Sequence, residues 1–142
     1  MLPRAAARAF AKRLMSEETV ARASRTLTEH SRDLRKAILS TVDHLQGLAP
    51  DDPKIYADAH EIRGLAETVG LAATGRIAAR LCGYFEGARR AALAVDPLLV
   101  RLHVDAIVRA ANAVDEAELL GDTVARELDA LVARRLADTP KR

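Results

Sequence analysis

The chain has 142 residues, 49% hydrophobic and 30% charged, with a formal net charge of +2: one domain's length, and enough apolar material for a single core. Two phenylalanines, two tyrosines and no tryptophan leave no stacking platform for nucleic acid, and so small a charge does not supply an electrostatic one. Cys82 is the lone cysteine, which excludes an internal disulfide and a thiolate zinc cluster and makes a reducing, cytoplasmic home the expectation.

No apolar run approaches the ~18 residues a membrane span requires, so no membrane partner is expected. Residues 1–15 carry Arg4, Arg8, Lys12 and Arg13 with no acidic residue. That composition is shared with transit peptides, and it equally suits an amphipathic accessory helix with Leu2, Ala6, Phe10 and Leu14 as its stripe.

Ser16 followed by Glu17 and Glu18 is a helix start signal, a hydroxyl cap with carboxylates beside the positive end of the dipole. Val20, Leu27, Leu34, Ile38, Thr41, Leu45 and Leu48 then recur at helical spacing along one face, which predicts a long first helix ending near Ala49-Pro50. Asp52-Pro53 opens a second helix, because proline at the first helical position gives up only an amide that would be unpaired anyway. It is predicted to run to Val69, with Gly70 closing it in the left-handed conformation.

A tight connection over Leu71–Gly75 is expected, with Thr74 capping a third helix that carries Ile77, Leu81 and Phe85 and fades near Ala94. Asp96-Pro97 repeats the start signal for a fourth, with Val100, Val104, Ile107, Ala111 and Val114 as its stripe. The stripe then shifts to Leu120, Val124, Leu128 and Leu131, which predicts a bend or break over Asp115–Gly121. No period-two run, hairpin signal or glycine-rich phosphate loop is present. The fold expected is all-α, an antiparallel up-down-up-down four-helix bundle over residues 16–138, with an N-terminal accessory helix and a frayed tail at 139–142.

The second helix carries the chemistry. At 100° per residue, Ile55, Ala59, Ile62, Ala66 and Val69 fall within a sector about 80° wide, the buried stripe. His60 points about 140° from the centre of that stripe, toward solvent, and shares its face with Pro53, Tyr56, Ala57, Gly64, Glu67 and Thr68. A glycine inside a helix costs roughly 1 kcal/mol relative to alanine. At Gly64, one turn from the imidazole, that cost is offset if another molecule approaches closely along bare backbone. Arg63 could swing a cation toward an anion held at His60, or pair with Glu67 four residues on. A neutral imidazole exposed on a helix can attack without a dedicated base.

The run His60-Glu61-Ile62-Arg63-Gly64-Leu65-Ala66, then Gly70, resembles the histidine-containing phosphotransfer (HPt) family motif. In that motif the phosphorylated histidine is followed by an aliphatic residue at plus two, Lys or Arg at plus three, Gly at plus four, a small residue at plus six and Gly at plus ten. Downstream, Leu81-Cys82-Gly83-Tyr84-Phe85-Glu86 is similar to the Leu-Cys-x-x-Leu-Glu stretch of the family's next helix, displaced by about four residues, one helical turn.

The resemblance implies a phosphorelay carrier. His60 is the phosphoacceptor, Arg63 supplies electrostatics to the phosphoryl group, and Tyr56, Ala57, Glu61, Gly64, Glu67 and Thr68 meet the partner. That partner is a receiver domain of a response regulator or of a hybrid histidine kinase. It implies a monomer that binds no metal or cofactor of its own, with Mg2+ on the receiver.

Glu61 beside His60 also resembles the opening of the histidine-kinase dimerisation box, although Gly64-Leu65 stands where that box ends in proline. A dimeric phosphotransferase derived from a kinase is therefore the second reading, and a helical adaptor with no chemistry the third. His30, His44 and His103 are read as ordinary surface histidines, and Cys82 as a core or half-buried small residue with Arg80 the only cation specified nearby.

Overall fold

The computed structural model describes residues Arg4–Ala137, which are helical throughout with short connections. Among the described residues there is no strand, and no helix is long and apolar enough to cross a membrane. Helix α1 spans Arg4–Gln46, α2 Lys54–Leu65, α3 Ala72–Arg90, α4 Pro97–Asn112 and α5 Val114–Ala137, and a 3-10 turn, Glu67–Val69, lies between α2 and α3. The chain divides into two units, Met1–Asp33 and Leu34–Arg142.

The first unit is the N-terminal part of α1. No break occurs at Ser16, so the separate accessory segment expected over residues 1–15 is corrected to a continuous helix from Arg4 onward. Neither glycine nor proline interrupts the sequence between Arg4 and Gln46, and a cap signal starts a helix only where something has stopped the previous one. From Arg4 to His30 every side chain whose environment is described is exposed. Val20 is 64% and Leu27 67% exposed, so the expected stripe is not a buried face here. Leu2, the Phe10 and Leu14 side chains, and the tail 139–142 lie outside the described residues.

The second unit holds the core. Ile38, Val42 and Leu45 from the end of α1 enter one cluster with Ile55, Ala59, Ile62, Ala66 and Val69 around α2, Ile77, Ala78, Leu81, Cys82 and Tyr84 from α3, Val100, Val104 and Ile107 from α4, and Leu128 from α5. Helix α3 packs against α2, α4 and α5, and α4 packs against α5. Its composition fits that central place: small Ala73, Gly75, Ala78 and Cys82 are buried alongside Ile77, Leu81 and Tyr84.

Boundaries differ from expectation in ways that tertiary contact explains. α1 stops at Gln46, and Gly47 and Leu48 turn back on the carbonyls of His44 and Leu45. α2 tightens into the 3-10 turn after Leu65, and Gly70 closes it at φ 80°, the left-handed conformation anticipated there. The loop expected over Leu71–Gly75 is instead the first turn of α3, and Thr74 is a buried helix residue rather than a cap. The amide of Ala73 donates to Glu118 Oε1 of α5 at 3.3 Å, so a carboxylate remote in sequence serves that helix start. At Gly75 a Cβ would stand 3.3 Å from Ala66 Cβ, which is why the end of α2 can lie so close. α3 ends at Arg90, earlier than Ala94, and the chain leaves through Ala92 at φ 53°.

Asp96 caps α4 as anticipated, its Oδ1 accepting from Leu98 N at 2.9 Å with Pro97 in the first turn. The break expected over Asp115–Gly121 falls at Ala113 (φ −131°, ψ 66°), and α5 runs unbroken through that span. Gly121 is buried inside α5, where it meets Ala73 of α3.

Candidate functional site

The buried stripe of α2 is as its periodicity implied: Ile55, Ala59, Ile62 and Ala66 are at most 1% exposed and Val69 6%. His60 stands on the opposite side, exposed, as are Tyr56, Ala57, Glu61, Arg63 and Gly64 on the same helix. Glu67 and Thr68 are also exposed but belong to the 3-10 turn, and Thr68 Oγ1 is spent on the Leu65 carbonyl at 2.7 Å. A Cβ added at Gly64 would meet nothing within 4 Å, so the lane beside His60 is open.

Helix α3 supplies the neighbouring wall. The Tyr56 ring lies 6.0 Å from the His60 ring, tilted by 39°, and meets Phe85 edge-on at 6.1 Å. Its hydroxyl donates to Glu86 Oε1 at 3.0 Å, and that bond to a carboxylate raises the phenol above its ordinary value. Contacts between Tyr56 and Glu86 and between Ala66 and Gly75 run in opposite sequence order, which brings the middle of α3 alongside His60. Gly83, in that stretch, is exposed and a Cβ there would also meet nothing within 4 Å.

Arg63 forms no ion pair among the described residues, so the pairing with Glu67 considered above is not made. Its guanidinium acts instead on Cys82 of α3. Burial pushes the Cys82 thiol up, and Arg63 pulls it partly back. Arg80, the cation anticipated beside Cys82, is engaged by Asp129 at 3.0 Å.

The other histidines fare differently. His103, read above as a surface residue, is corrected to a fully buried one. Its ring stacks on Tyr84, with interplanar angle 2°, its Nδ1 sits 2.6 Å from the Leu99 carbonyl oxygen, and its Nε2 has no partner. Burial lowers its pKa, against opposing contributions from that carbonyl and Asp129. His44 Nδ1 lies 2.6 Å from Asp58 Oδ2, joining the end of α1 to α2.

A cavity of about 380 Å³ lies elsewhere, lined by residues of α4 and α5 and by Ile77 of α3, and none of the residues around His60 lines it. The exposure of His60 and its neighbours on α2 follows from the helix wheel, whereas the part of Phe85 and Glu86 as fixtures of Tyr56 does not. The only signal was their place in the Leu81–Glu86 stretch. No family model, curated protein or solved structure matches the chain.

Proposed function

We propose that this protein is a phosphorelay intermediate in which His60 accepts a phosphoryl group from a receiver-domain aspartate and passes it to another receiver. The observation that carries the reading is the position of His60: mid-helix, exposed, opposite the buried stripe, with the open Gly64 one turn on and Arg63, exposed and in no ion pair among the described residues, three residues on. On this reading the second unit is an antiparallel up-down-up-down bundle of HPt type, and the extra residues that displace Leu81–Glu86 from the family spacing are the added first turn of α3.

In the transfer, the lone pair of the unprotonated imidazole nitrogen, Nε2 in the HPt family, attacks phosphorus in line. The N–P bond forms as the P–O bond to aspartate breaks, and the carboxylate leaves with the electron pair. The reverse step delivers the group to the second receiver. Arg63 offers charge to the phosphoryl oxygens, while Gly64, with Ala57 on its other side, lets the partner's backbone close on the nucleophile. Mg2+ and most of the charge stabilisation belong to the receiver, and a cytoplasmic monomer is the form proposed.

The test is a transfer profile. Purified chain is incubated with labelled phospho-receivers of the source organism, and label is expected on the wild type and absent from His60→Gln. Equal labelling of both would remove His60 from the reaction. The second reading, a kinase-derived dimer, rests on Glu61, and sedimentation separates it: a monomer supports the carrier, and an obligate dimer supports the alternative.

A further inference from the structure

We infer that Tyr56 is a positioning residue for His60, held as a rigid wall by Glu86 and Phe85 of the neighbouring helix so that the imidazole is kept in one orientation for attack. The inference rests on the phosphotransfer reading and adds to it a named device on α3.

The geometry has three parts. Tyr56 is one turn before His60 on α2, so the two side chains share a face, and their rings are 6.0 Å apart. An exposed tyrosine would ordinarily sweep several rotamers, but this one is tied at its far end, 3.0 Å from Glu86 Oε1. Its ring edge also meets Phe85, which is half-buried and packed against the core cluster.

The wall is thus anchored in the core, although Tyr56 itself is 38% exposed. Opposite the wall, Gly64 leaves His60 unobstructed. The imidazole is confined on the Tyr56 side and open on the other. A nucleophile whose orientation is fixed before encounter needs less ordering on the way to the transition state.

A residue that positions the nucleophile and one that merely docks the partner move different quantities. Transfer from a phosphorylated receiver should be measured against receiver concentration for wild type, Tyr56→Ala, Tyr56→Phe and Glu86→Gln, with circular dichroism to verify folding. For Tyr56→Ala the saturating rate is expected to fall about three- to ten-fold, the effect of one freed side-chain rotor, with half-saturation changed less than about two-fold. Tyr56→Phe, which keeps the wall and loses the tie, should fall between, and Glu86→Gln, which exchanges the charged acceptor for a neutral one, should fall between wild type and Tyr56→Phe.

Side-chain couplings of His60 by NMR give a readout independent of transfer: one dominant χ1 rotamer in wild type and averaging in Tyr56→Ala. A folded Tyr56→Ala protein with wild-type saturating rate and an unaveraged His60 overturns the inference. So does a change confined to half-saturation, which would make Tyr56 a docking residue. If wild type takes no phosphoryl group from any receiver, the phosphotransfer reading itself fails and the positioning role in transfer falls with it. Couplings that still respond to Tyr56→Ala would identify that outcome as a failure of the reaction rather than of the contact.

Discussion

Gly121 of α5 stands against Ala73 of α3 so closely that a Cβ added to the glycine would lie 2.9 Å from the alanine Cβ. The two helices therefore owe their approach to a missing side chain, in the same region where Glu118 receives the Ala73 amide. Gly121→Ala should destabilise the protein by about 1–3 kcal/mol, because the overpacking outweighs alanine's better helix propensity. Urea unfolding measures it, and an unchanged or raised midpoint would contradict the contact.

Gly64 and Gly83 should behave in the opposite sense. Both lie inside helices with nothing within 4 Å of a built Cβ, so alanine at either gains helix propensity without a clash, worth about 0.5–1 kcal/mol of added stability. The same unfolding experiment checks the sign.

Bulk beside His60 separates folding from function. Gly64→Leu should leave the helical signal and cooperative unfolding intact while transfer slows roughly ten-fold or more, since the side chain occupies the lane the partner needs. A folded Gly64→Leu protein that transfers at the wild-type rate would remove the steric role of this glycine.

His103 makes stability depend on pH. Its folded pKa is lowered, chiefly by burial, from an ordinary value of 6.5. As pH falls through that ordinary value, the unfolded chain gains a proton that the folded chain does not, so stability declines with acidification and is restored above about pH 7. The carboxylates add their own dependence at lower pH, so the window is set just below the ordinary histidine value, and His103→Gln separates this residue from the other three histidines. Unfolding midpoints between pH 7.5 and 5.5 should drop in wild type and drop less in His103→Gln. Parallel curves would show that His103 is not the group responsible.

Much of α2 was legible in the sequence because its periodicity is local: the buried positions from Ile55 to Val69, the outward His60 and the closing Gly70 all follow from helix geometry and one proline. The Asp96 cap was legible for the same reason. What escaped depends on residues far apart in the chain. Thr74 was read as a cap because Glu118, which serves the start of α3, lies on another helix. His103 was read as exposed although its spacing from Val100 and Ile107 sets it beside the buried face of α4; only its stacking on Tyr84 required the register of another helix. Gly121 looked like a breaker, yet a glycine needed for a close helix crossing has the same letter as one that ends a helix. Within the candidate site, the α2 residues could be placed from a wheel, whereas the tie from Tyr56 to Glu86 required the register between two helices.

The central claim is that His60 carries the phosphoryl group, and phosphorus NMR after incubation with a phosphorylated receiver tests it most directly. A phosphohistidine resonance is expected in the wild-type chain and none in a folded His60→Gln chain. The same resonance in both proteins, or none in the wild type with any receiver of the source organism, would contradict the account.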